Sequence, residues 1–391
     1  MRFGAVCLLM CLGWNVSCGR PLPDLHATLE TVELPQTPVR NQGRFGVCWA
    51  YGTIGLVEAE FKREQGLDID LSEEALVFYH MAEGMEALFK TLSVSELLTV
   101  LSKQALPEGW NTRITPDYET PLAKGEPRQR DGLDLIQTYG LVPEEVWSFK
   151  VSDETAKQKL FQAIVKNTRR LLQGSRPLAS YSLQEIMEQV LVGEGAFPSV
   201  PPSQFEYRGE IWDSREFVRS KLRFQPDDFG VFNSQSDADY PQLVALLKRA
   251  LHRGYSVPLA FPINVDRFEG DRLTGAAIRD PNDWISFARD GGHLVLVKDY
   301  VNQGMSMGAL STQQQDIELK RPSEDLEFIV FKNSWGVGAK FNEAGLPLAT
   351  STDGHYKMDK SYLKGAMRVP ALTKIKYNNV QIVVPRSMLA P

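Results

Sequence analysis

The hydrophobic period of this chain changes near residue 254, and that change limits what it can fold into. Upstream, apolar residues recur at helical spacing. Ala50, Ile54, Val57, Ala59 and Phe61 follow Cys48 in this way, as do Leu160, Ile164 and Leu171 within 153–172, and the run Tyr240 to His252. Downstream, short apolar runs bounded by turn residues predict strands at 256–263, 293–300, 326–332, 355–358 and 373–377. Helices first and strands later point to an α+β arrangement of two differently built lobes. With 391 residues the chain can bury a large core.

Local signals refine the helical half. A helix is predicted from about Cys48 to Gly66, and Gly52 and Gly55 inside it imply close backbone packing. Ser72 is the expected N-cap of a second helix through Tyr79, which His80 ends. Residues 81–195 read as mainly helical, with a segment at 182–192, and 196–241 as turn-rich and polar.

The first residues carry an export pattern. Arg2 supplies a positive start, and Phe3 to Gly13 is an apolar run too short to anchor in a bilayer. Residues 1–18 are read as a signal peptide, 19–32 as a linker and 33–391 as the folded domain. Asn15-Val16-Ser17-Cys18-Gly19 resembles a lipobox, so lipidation of Cys18 with membrane attachment is one expectation. Cleavage to release a soluble protein is the other. Either way the expected place is a bacterial periplasm or outer membrane, or outside the cell. The net charge of −6 offers no basic footprint, so nucleic acid is not an expected partner.

Of four cysteines, Cys7, Cys11 and Cys18 lie in or beside the signal, which leaves Cys48 with no partner for a structural disulfide. A lone thiol in an oxidising compartment invites a chemical reading. Thiols attack acyl carbon as thiolates, and the first turn of a helix favours that charge. A histidine must stand beside the sulfur. Among five histidines, His26 lies in the linker, His80 and His252 close helices, and His355 opens a late strand. His293 differs, because it follows Gly291 and Gly292 at the mouth of an apolar strand. The two glycines would let a substrate backbone come close. Asn333, in Lys332-Asn333-Ser334-Trp335-Gly336, sits at another strand end and could hold the imidazole, with Trp335 shielding that bond. Gln42 and the Cys48 backbone N–H could share a tetrahedral oxyanion.

The order Gln42, Cys48-Trp49, Gly291-Gly292-His293, Asn333-Ser334-Trp335-Gly336 resembles that of the papain-like cysteine peptidases. Further matches are Leu71 to Leu76, Asp131 to Ile136 with Gly140 to Val142, and Gly354 to Met358. The resemblance implies a helical N-terminal lobe, an antiparallel β-barrel-like C-terminal lobe and a cleft between them. It also implies peptide or protein substrates, a thioester acyl-enzyme and no cofactor or metal, and it leaves oligomeric state open. Cys48, His293, Asn333 and Gln42 take the catalytic roles, and Gly291, Gly292 and Trp335 line the substrate path. Leu259 is an expected specificity-pocket residue, with plain core as its other reading.

The chain departs from the family pattern in three ways. Phe45 and Val47 replace the usual cysteine and serine before Cys48. Cys48 and His293 lie 245 positions apart, against about 130–150 in the family. The extra length is expected as helical insertions within about 81–235, and no inhibitory propeptide is expected. Both features resemble the bleomycin hydrolase and aminopeptidase C branch, which Ile186 to Phe217 echoes locally and whose C-terminal tail enters the cleft. Aminopeptidase action is therefore one expectation. A catalytically silent peptide- or protein-binding scaffold is the alternative, and acyl transfer to an amine a third reading.

Overall fold

The computed structural model describes residues 34, 36–43, 46–104, 129–151, 154–174, 176–234, 236–275, 292–302, 305–306, 312–341, 347–368 and 380–389. Helix α1, Cys48–Gln65, begins where the sequence predicts. It ends at Gly66, whose φ of 67° is the left-handed conformation that glycine adopts without penalty. Helix α2, Glu73–Thr91, is capped by the Ser72 hydroxyl, which accepts from the Ala75 N–H. It does not stop at His80. Met81, Ala82, Met85, Leu88 and Phe89 extend its apolar stripe, and all are buried.

Between α2 and the sheet lie α3 (Val94–Gln104), α4 (Gln129–Tyr139), α5 (Glu154–Leu171) and α6 (Leu183–Ile186), the last continued by a π turn over Met187–Leu191. This stretch also holds a hairpin that the turn-rich reading of 196–241 overlooked. Strands β1 (Gln204–Tyr207) and β2 (Glu210–Asp213) pair antiparallel around Arg208 and Gly209, both at positive φ, which fits the natural twist of a two-residue hairpin loop.

Among the described residues the second lobe is a nine-stranded sheet. Its strands are β3 (Phe229–Asn233), β4 (Val257–Pro262), β5 (Phe268–Glu269), β6 (Arg272–Leu273), β7 (Gly292–Asn302), β8 (Met305–Ser306), β9 (Leu326–Lys332), and two more, His355–Asp359 and Gln381–Pro385. A separate two-stranded ribbon of β10 (Gly338–Phe341) and β11 (Pro347–Ser351) precedes the last two, which become β12 and β13. The order is β3-β13-β4-β7-β9-β12-β6-β5, with β8 on β7. Every pairing is antiparallel except β12 with β6. The helix predicted at Tyr240–His252 (α7) links β3 to β4.

The strand expected at 373–377 lies outside the described residues. Strand β13 was not expected; Ile382, Val383 and Val384 are buried in it between β3 and β4. The described part of the C-terminal segment is thus committed to the sheet. Among the described residues no helix is long and apolar enough to cross a membrane.

Helix α1 is the wall that the two lobes share, with α2 and α4 on one side and β7 on the other. Gly52 and Gly55 meet Leu294 and Leu296 there, which is the close packing their positions in the helix predicted.

Candidate active site

Cys48 is the first residue of α1 and is half-buried. No acidic side chain occupies the first turn and no side chain caps it. The positive end of the helix dipole therefore acts on the sulfur without a carboxylate to offset it.

His293 enters from β7, opposite Phe261 of β4, and is buried. Its Nε2 lies 2.8 Å from Asn333 Oδ1, and the Ser334 N–H donates to that same oxygen at 2.8 Å. A backbone N–H can only donate, so this atom of Asn333 is the oxygen. His293 Nε2 must then carry the proton, and Nδ1 is the nitrogen left for sulfur. The Trp335 ring stacks on the imidazole at 5.0 Å and the Phe261 ring meets it edge-on at 6.0 Å. In this dry setting burial pushes the imidazole pKa down to about 4, against the opposing pull of the Asn333 bond. Imidazolium is favoured there only with an anion beside it.

Gln42 is zipped to the same loop. Its N–H donates to the Ser334 carbonyl at 2.8 Å, its Oε1 accepts from the Ser334 hydroxyl, and Gly336 N–H donates to the Arg40 carbonyl at 2.9 Å. With the carbonyl end of its amide turned to Ser334, the NH2 end is the one available to an oxyanion. Ser334 thereby joins the candidate oxyanion donor to the residue that holds His293.

Packing of α1 on β7 brings the two halves of the site together. Gly52 is one helical turn from Cys48, and it lies against Leu294, the neighbour of His293.

The substrate-side expectations fare unevenly. Gly292 opens β7 opposite Pro262, whereas Gly291 lies outside the described residues. Trp335 is partly exposed and covers His293. Leu259 is fully buried in β4 between β7 and β13, so it belongs to the core and not to a pocket. Side chains alternate along a strand, and residues paired across strands share a face. Leu294 faces α1, so its partner Ala260 faces α1 too, and Leu259 faces away. Ala260, partly exposed, is the candidate that sequence reading missed by one residue; it is the β4 partner of Leu294, which directly follows His293 and packs on Gly52.

A buried charged layer behind the site was also missed. Glu58 of α1 accepts from Thr37, Arg40 and the Leu71 N–H. Arg40 also reaches Asp70 and Glu73, and Lys332 donates to Thr37 at 2.7 Å. Burial pushes the Glu58 and Glu73 carboxyls up, and it pulls Lys332 down to about 8. The available signal was a glutamate between Val57 and Ala59 in an otherwise apolar stretch of helix.

The model of the papain family cysteine proteases matches residues 29–83, a stretch that contains Gln42, Cys48 and the start of α2. The oryzain gamma chain of Oryza sativa subsp. japonica is 33% identical over 76 residues, 17% of this chain and 21% of that protein. Cathepsin K of Gallus gallus is 43% identical over 42 residues, 11% and 13% of the two chains. The matched region thus spans about a fifth or less of the length of these curated relatives. PepW from Lactobacillus rhamnosis superposes with a TM-score of 0.54 at 15% identity, covering 93% of this chain and 83% of that one, which is a likeness of fold. The family match is thus confined to the segment that holds Gln42 and Cys48, and around His293 and Asn333 the likeness is one of fold.

Proposed function

We propose that the protein hydrolyses peptide bonds through a thioester on Cys48. The Cys48 thiolate attacks the scissile carbonyl, and the Gln42 amide with the Cys48 backbone N–H holds the resulting oxyanion. Imidazolium Nδ1–H then protonates the leaving amine as the C–N bond breaks, which leaves the thioester. Neutral His293 next takes a proton from water, the hydroxide oxygen adds to the thioester carbon, and the sulfur leaves as thiolate. Asn333 keeps the imidazole in the required tautomer throughout.

The observation that carries this reading is the Asn333 oxygen, fixed by the Ser334 N–H and bonded to His293 Nε2 at 2.8 Å. It leaves Nδ1 for the sulfur. A silent scaffold would have no use for that arrangement.

Residues 33–391 are read as the peptidase domain, with the additions within about 81–235 limiting access to the cleft. Export, and lipid attachment at Cys18, belong to the same proposal and rest on the N-terminal sequence pattern. Mass spectrometry of the mature N-terminus tests both.

The activity is tested by incubating the mature protein and Cys48→Ala with an epoxide thiol-peptidase label, and with peptides bearing free or blocked N-termini. Labelling of wild type but not of the variant is expected. An unlabelled wild type under reducing conditions sinks the proposal. Cleavage confined to free N-termini identifies an aminopeptidase, and cleavage inside blocked peptides an endopeptidase.

A further inference from the structure

Asn333 carries an atom that nothing among the described residues satisfies. Because His293 and Ser334 both bond its Oδ1, its Nδ2 is turned the other way. That nitrogen is buried and has no hydrogen-bond partner among the described residues. A buried N–H left in that condition is costly, and ordered water is the usual remedy.

Asn333 lines a cavity between α1 and the β7–β9 pair with about 20 Å³ of room, enough for one water. Besides Asn333, the polar part of its wall is Arg40, Tyr51, Glu58, Glu73, Lys332 and Ser334. Arg40 and Lys332 can only donate, the Ser334 hydroxyl donates to Gln42, and most acceptors are already engaged. Glu58 Oε1 takes Arg40 at 3.1 Å and the Leu71 N–H at 3.0 Å, and its Oε2 takes Thr37 at 2.7 Å. Tyr51 donates to Glu74 at 3.0 Å. Glu73 differs, since Arg40 reaches its two oxygens only at 3.4 and 3.5 Å.

We propose that a water in this cavity accepts from Asn333 Nδ2 and donates to the Glu73 carboxylate, making Glu73 a positioning residue for His293. This deepens the peptidase reading and rests on it. The bridge holds the Asn333 amide by both ends, so its carbonyl cannot swing off the imidazole. Glu73 lies on α2 in the helical lobe and Asn333 just after β9 in the sheet lobe, so the bridge also ties the two walls of the cleft.

The test compares Glu73→Leu, Glu73→Gln, Asn333→Ala and the double variant Glu73→Leu/Asn333→Ala in the full mature protein. Glu73→Leu is expected to lower kcat about tenfold with KM unchanged. Glu73→Gln, which keeps an acceptor oxygen, recovers most of that loss. The double variant is no worse than Asn333→Ala alone, because both changes act on one unit. Multiplying effects, or a lowered melting temperature with unchanged kcat in the folded fraction, overturn the proposal. A high-resolution crystal structure decides it independently of activity. Water density between Asn333 Nδ2 and Glu73 supports the bridge, and a cavity without it overturns the bridge. An unlabelled wild type would remove the peptidase reading while the density still decided the bridge.

Discussion

Gly52 of α1 lies so close to Leu294 of β7 that a methyl group on the glycine would stand 1.6 Å from Leu294 Cδ2. This contact sets the helix that begins at Cys48 against the strand that carries His293. Gly52→Ala should destabilise the fold by about 1–3 kcal/mol, although alanine is the better helix former by about 1 kcal/mol. Gly55→Ala, where the added carbon would meet Leu296 Cδ2 at 3.3 Å, should be close to neutral. Denaturant unfolding of the two variants measures the difference. Equal stability would contradict the tight approach at Gly52.

In the proposed reaction Asn333 acts through His293 alone, so its loss should be felt in kcat. Asn333→Ala is expected to lower kcat/KM by roughly tenfold to a hundredfold, mostly through kcat. Steady-state kinetics on one peptide substrate check this. A change confined to KM would place Asn333 in substrate binding instead.

Burial holds the His293 imidazole down at about 4. In Cys48→Ala no thiolate can stabilise imidazolium, so His293 should stay neutral until the pH falls near that value. The unfolded chain takes up its proton near 6.5. Between those values the unfolded state binds more protons, so stability of the variant should fall as pH drops from about 6.5 to 4. NMR titration of the ring and unfolding at several pH values test both statements.

Glu74 behaves with the opposite sign. Burial, then the nearby Glu144 charge, raises its carboxyl to about 7, despite the bond from Tyr51. The folded state holds a proton there that the unfolded state has released above about 4.5. The Glu74 contribution is therefore present below about pH 4.5 and lost as pH rises to about 7. Glu74→Gln should remove this slope, gaining on the order of 1–3 kcal/mol relative to wild type at pH 7. Unfolding midpoints across that range would show parallel curves if Glu74 were ordinary.

Leu259 and Ala260 should separate cleanly. Leu259→Ala empties a core position and should cost about 2–5 kcal/mol without altering the preference among peptides. Ala260→Leu fills space on the α1 side and should shift kcat/KM ratios between peptides of different side-chain size by about tenfold. Profiling both variants against a small peptide panel decides which residue faces substrate.

How much of this was legible depended on range. The start of α1 at Cys48, the Ser72 cap and all of Tyr240–His252 follow from patterns within a few residues, whereas the grouping of Gln42, Cys48, His293 and Asn333 rested on the order of four short motifs and the family resemblance that order carries. The hairpin around Arg208-Gly209 was legible in principle, through its turn residues and the alternation of Gln204 to Tyr207, and was passed over among prolines.

Sequence by itself determined the chemistry on offer and the two kinds of lobe, because motif order and hydrophobic period are local properties. Only the tertiary structure decided what depends on distant partners. It chose Ala260 over Leu259 as the residue facing α1, since a strand's faces are set by the strands it pairs with. It placed β13 between β3 and β4, and it gathered Arg40, Glu58, Glu73 and Lys332 behind Asn333. Charges brought together across such separations in sequence become a layer only when packing removes the water between them.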